Sequence, residues 1–190
     1  MGHLNIGHGL QGGGHHEEAV RLLTEAENVA SAAGERHEKA SALAGKALSL
    51  VELGRVKEAL RALTRAAQLF AETGDRYSKA CVLINRSVVM MRSVATAKKA
   101  VALLAQAVEI LTAEEASHDL ATARANLSLA LASTGRFEGA TAEAARAVET
   151  LRAAGDDVAA AIMEADLRSR LREAKTSRPL APRRSSPARR

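Results

Sequence analysis

Apolar residues recur along the chain at intervals of three and four, as in Leu43, Ala47 and Leu50 and again in Leu60, Leu63 and Ala67. That spacing places them on one side of an α-helix; a half-buried strand would alternate with a period of two. The runs are punctuated by the segments AAGERHEKA, ETGDRYSKA and RAAGDDVAA, which carry Gly34, Gly74 and Gly155. A glycine just past the last periodic residue is a helix stop, because it enters the left-handed conformation without a Cβ penalty. The pattern predicts helices near residues 3–12, 15–33, 36–53, 55–73, 76–93, 96–113, 116–134, 136–154 and 157–174.

The helices come in pairs, and the pairs repeat. Three segments align without a gap: GGHHEEAVRLLTEA from Gly13, LGRVKEALRALTRA from Leu53 and TGRFEGATAEAARA from Thr134. Each carries a glycine and then two alanines at fixed places: Gly14, Ala19, Ala26; Gly54, Ala59, Ala66; Gly135, Ala140, Ala147. Gly14 to Gly54 spans 40 residues and Gly54 to Gly135 spans 81, two periods with one insertion. The intervening copy is SVATAKKAVALLAQA, which supplies Ala100, Leu104 and Ala107 but has lost the glycine and is expected to hold the extra residue in its turn. Ala19, Ala59, Ala100 and Ala140 stand where a second helix approaches its neighbour, and a larger side chain there would hold the axes apart. Each unit is two antiparallel helices joined by a short turn. The units fall at about residues 1–34, 35–74, 75–115 and 116–155, with a capping helix over 157–174 and a tail over 175–190.

This pattern resembles the tetratricopeptide repeat, in a lengthened form of about 40 residues instead of the familiar ~34. The match covers roughly residues 4 to 174. Its best single copy is ARANLSLALASTGRFEGATAEAARAVETL, with Asn126, Leu127, Leu131, Gly135, Ala140 and Ala147 at family positions. Gly14, Ala19, Gly54, Ala59, Ala100, Gly135 and Ala140 form the repeat signature. Departures are the missing aromatic near the start of the first helix, the missing proline after the second, and Lys46 and Arg86 where leucine is commonest. The resemblance implies an all-α, right-handed superhelical solenoid of antiparallel helix pairs. The first helix of each pair would then line a concave wall that receives peptides or partner helices.

Composition sharpens this picture. The aromatics are Phe70, Phe137 and Tyr77, with no tryptophan. An interior made of Ala, Leu and Val suits close helix packing better than a β-sandwich. Pro179, Pro182 and Pro187 all lie in the tail, so no proline interrupts the helical body. Cys81 is alone, which excludes an intramolecular disulfide framework and a multi-cysteine zinc site. There is no charged-then-apolar leader, and no apolar run approaches the ~18 residues of a membrane span. A cytoplasmic protein without membrane contact is expected. The net charge is +5, yet Lys175, Arg178, Arg183, Arg184, Arg189 and Arg190 supply six positive charges with no acid among them, so residues 1–174 sum to −1. The tail, KTSRPLAPRRSSPARR, is expected to be disordered.

None of the candidate motifs is chemically complete. GHGLQG, from Gly7, formally matches the dinucleotide fingerprint G-x-G-x-x-G, but only six residues precede it, too few for the strand that such a site needs. AGKAL at Ala44 lacks both the loop and the hydroxyl of a phosphate-binding loop. His15 and His16 are adjacent, so on a helix they point about 100° apart and cannot share an ion as residues at i and i+4 do. His3 and His8 are no better placed. Cys81 has no base positioned to activate it. Glu17, Glu18, Glu114 and Glu115 read as helix-start or surface charges. No catalytic residue, metal site or cofactor is expected.

Register maps Leu4 and His8, then Ala44, Leu48 and Val51, then Ile84, Val88 and Met91, then Ala125, Leu129 and Ala132 onto the inner wall. The groove candidates are Leu48, Val51, Ile84, Val88, Met91 and Leu129, whereas Leu60, Leu63 and Leu104 should be buried between hairpins. The wall is mostly apolar and lacks the Lys and Asn cluster by which some chaperone-binding relatives clamp a carboxylate. An amphipathic helix in an apolar groove is the better-matched ligand. The expected function is a protein-interaction scaffold without catalytic activity. Long repeats of this kind resemble those of large bacterial regulators, and the first repeat starts mid-unit, as expected of a fragment of a larger regulator or of a curtailed reading frame. The alternative is a nucleic-acid-associated protein that binds through its basic tail. Gly2, Gly7, Gly9, Gly12, Gly13 and Gly14 disfavour helix while Leu4, Ile6 and Leu10 still need cover, so fraying or self-association through the N-terminal end is expected.

Overall fold

The computed structural model describes residues 14–177. Eight α-helices fill that span: α1 His16–Ala33, α2 Arg36–Glu52, α3 Val56–Glu72, α4 Arg76–Met91, α5 Val94–Ala113, α6 Ser117–Ser133, α7 Phe137–Ala153 and α8 Asp157–Thr176. No strand occurs among the described residues. The helix expected over 3–12, with its fraying or self-association, lies outside them, as does most of the basic tail.

Left-handed residues separate most of the helices. Gly34 has φ 73°, and the turn closes with Glu35 N–H donating to Ala30 O at 2.9 Å. Where the third unit has lost its second glycine, Glu115 takes the same conformation at φ 53°, at a cost of roughly 1–2 kcal/mol for a residue bearing a Cβ. The single inserted residue is accommodated differently from the expectation. Instead of lengthening the turn, it joins the helix: α5 starts at Val94 and runs for 20 residues, against 17 in α3 and α7.

The helices pair as α2–α3, α4–α5 and α6–α7, and each second helix packs on the first helix of the next pair. The signature alanines Ala19, Ala59, Ala100 and Ala140 are fully buried. Their role as spacers is visible at one crossing, where the buried Ser128 hydroxyl on α6 donates to the Ala140 carbonyl on α7 at 2.7 Å. Leu63 and Leu104 are also fully buried, as expected. Leu60 is not: it is half-buried at the outer edge of the core, beside Arg61, Thr64 and Arg65.

Helix α8 differs from the earlier first helices in having no second helix paired with it among the described residues. Ala40 and Ala47, Ala80 and Ser87, and Ala121 and Ser128 are fully buried. The residues of α8 in that register are Ala161 and Arg168, and both are exposed.

Candidate functional site

Successive first helices approach one another, α4 against α6 and α6 against α8, as expected on the short-radius side of a curved stack. Two clefts open on this side. The first, of about 460 Å³, lies between α2 and α4 and is lined by Leu48, Val51, Val88, Val89, Asn85 and Arg92, with Glu52 and His16 at its margin. Leu48 and Val88 are 43% and 42% exposed, large apolar surface left in water. The second, of about 490 Å³, lies between α6 and α8. Ala125, Leu129, Ala159, Ile162 and Met163 form its apolar lining, and the Arg170–Asp166 pair at 2.9 Å closes one side.

Of the groove residues expected from register, Leu48, Val51 and Val88 come together in the first cleft and Leu129 lies in the second. Ile84 does not belong to the wall: it is 8% exposed and packs in the main core. Ala132 is likewise buried. Both belong to the main core cluster. Met91 is half-buried against the core and lines neither cleft. Leu4 and His8 lie outside the described residues.

Several lining residues had not been anticipated. Asn85 and Asn126 stand 41 residues apart, at one repeat position, and each lines its own cleft. Neither side chain makes a hydrogen bond among the described residues, so each presents an amide donor and acceptor beside an apolar wall. Their recurrence was present in the sequence as a signal. His16 is half-buried at the margin of the first cleft, with Nδ1 buried and unpartnered. Helix α8, expected only as a cap, contributes one wall of the second cleft, including Ile162, which is 67% exposed.

The reactive candidates have structural surroundings. Burial and the nearby Asp119 carboxylate push the Cys81 thiol up, which disfavours the thiolate that a nucleophile requires. Lys46, at a leucine position of the repeat, forms an ion pair with Glu27 of α1. Arg86, at the same position one repeat on, has a buried Nε without a partner. Among the described residues no three His, Cys, Asp or Glu side chains converge as a metal set, and no helix is long and apolar enough to cross a membrane.

No protein-family model matches the chain, and no curated protein matches it by sequence. Solved structures do match its shape. A putative kinesin light chain with nearly identical TPR-like repeats from Podosopora anserina superposes with a TM-score of 0.71 at 18% identity, over 94% of this chain and 96% of that one. A second structure of that kinesin light chain gives 0.68 at 17% identity, over 93% and 96%. BtubC (BKLC) from P. vanneervenii gives 0.65 at 19% identity, over 91% of this chain. The chain spans 63% of the length of BtubC. Likeness at these identities establishes architecture: the chain folds as an all-α, TPR-like solenoid of antiparallel helix pairs.

Proposed function

We propose that the concave face is a protein-interaction surface that receives an apolar peptide or an amphipathic helix, and that the chain is a non-catalytic scaffold. The observation that carries this reading is the exposure of Leu48 and Val88 beside a cleft on the inner side of the stack. Apolar side chains gathered in a concavity gain on contact with a partner what they lose in water. Asn85 and Asn126 add polar groups able to fix the orientation of a bound backbone or side chain. A cytoplasmic place in a bacterial regulatory or signalling system follows from the resemblance of the long repeats to those of large regulators.

The test is partner retention by Val88→Glu and Leu48→Glu. Both side chains are already partly in water, so folding should persist. A charge in the groove would be desolvated by an apolar ligand, and capture should fall by at least about tenfold. Leu129→Glu examines the second cleft in the same way. Retention equal to the parent in all three variants, with unchanged thermal unfolding, would remove the concave face from consideration.

A further inference from the structure

The uncovered face of α8 departs from its own repeat positions. Val158 and Ile162 are 73% and 67% exposed, more than any other large apolar side chain among the described residues. The earlier first helices carry His37, Tyr77 and His118 where α8 has Val158, and Ser41, Cys81 and Thr122 where it has Ile162. Ala161 and Ala165 are exposed as well, so the four stand at i, i+3, i+4 and i+7 and form one apolar stripe along the amino-terminal half of the helix. A face that turns apolar where its counterparts are polar, and that lies in water, is a surface for another element to cover.

Opposite charges stand at the two ends of the stripe. Asp157 lies at the amino-terminal end, one turn before Ala161 on the same side, and its carboxylate has no partner among the described residues. Arg168 lies at the carboxy-terminal end, on the side of Ala161 and Ala165. Its guanidinium donates to Glu164 at 2.6 Å, but Glu164 also accepts from Arg152 at 2.8 Å and keeps that partner if Arg168 turns away. Further along, Arg172 and Lys175 are exposed, and residues 178–190 add five arginines without an acid.

We propose that this stripe is the contact between two copies of the chain related by a twofold axis, their α8 helices crossing antiparallel over Val158, Ala161, Ile162 and Ala165. A twofold contact must be self-complementary, because each patch meets its own copy. The antiparallel crossing meets that condition: Val158 of each copy lies against Ala165 of the other, Ala161 against Ile162, and Asp157 comes within reach of Arg168. In α6 the face bearing Ser128 takes the antiparallel helix α7, and Arg168 is the residue of α8 in that place. Its bulk keeps the axes apart there, so the small Ala161 and Ala165 draw the closest approach towards the amino-terminal half.

Charge selects among the arrangements. A parallel crossing would set Arg168, Arg172 and Lys175 of the two copies side by side, whereas the antiparallel one sends these basic halves out in opposite directions. The chain's own tail is a poor cover for the stripe, because it would bring its arginines against the same cations and has Leu180 as its one large apolar residue. A single helix crossing falls below the ~1,200 Å² at which the range of stable interfaces begins, so the contact is weak and its occupancy follows the concentration of the chain. Val158 and Ala161 line neither concave cleft, so the contact is independent of the partner groove.

Sedimentation velocity of the full chain, from about 10 µM to about 1 mM, should show a mass rising from one copy towards two. Val158→Glu and Ala161→Glu each place a charge where the side chain is already in water. Their thermal midpoints should match the parent, while dimerisation weakens by at least about tenfold. Asp157→Arg and Arg168→Glu each set like charges against one another at both ends of the crossing, and each should weaken it by roughly three- to tenfold. Both substitutions in one chain restore opposite charges and should return dimerisation to within about threefold of the parent. A chain that stays monomeric throughout the range, an association unaffected by Val158→Glu and Ala161→Glu, or a double variant no better than either single one overturns the proposal.

Discussion

Leu63→Ala is expected to destabilise the chain by about 2–5 kcal/mol, the range for a well-packed leucine whose surroundings cannot collapse into the cavity. Leu63 is fully buried within the cluster that runs continuously from Ala40 to Ala140. Its loss would weaken the α2–α3 pair and the seat of α4 on α3. Because a repeat stack is held by its nearest-neighbour contacts, a weakened middle interface costs the whole array its cooperativity. Leu60→Ala is the control on the same helix. That side chain is half-buried at the outer edge, so its truncation should cost clearly less. Denaturant unfolding of both variants checks the prediction, and equal losses would contradict the assigned packing.

The second large effect is overpacking at a spacer. Ala140→Leu should destabilise by about 1–3 kcal/mol through forced separation of α6 and α7. Separation also breaks the bond from the Ser128 hydroxyl to the Ala140 carbonyl, leaving a buried polar group unsatisfied at a further cost of about 1–3 kcal/mol. Ala142 lies two residues on and is exposed. Ala142→Leu should leave the thermal midpoint nearly unchanged, whereas a tolerated Ala140→Leu would contradict the close crossing.

These two residues also mark how far the sequence could be read. The places of Ala59, Ala100 and Ala140 follow from a steric rule that leaves its trace in residue size, so pairing and register were legible. The helix boundaries agree to within about two residues, since glycine and the end of apolar periodicity mark the same points. Less legible was anything decided by a small rotation of a helix. Ile84 and Val88 are one turn apart, yet Ile84 packs in the core and Val88 lies in the cleft. The free strip on an inner helix is narrow because partner helix and flanking pairs cover the rest. The inserted residue left no signal of its own, because entering α5 or lengthening the preceding turn preserves the same spacing. Asn85, and the place of Asn126 in the second cleft, were missed for another reason: apolar periodicity says nothing about polar residues that recur once per repeat.

Binding of partners on the concave side can be probed in the producing cell. A benzophenone side chain is placed at Val88, in the first cleft, and separately at Gln68, exposed on the outward side of α3. Irradiation should yield a covalent adduct with the partner from position 88 and none from position 68. An adduct from Gln68 alone, or equal yields from both positions, would contradict the assignment of the groove.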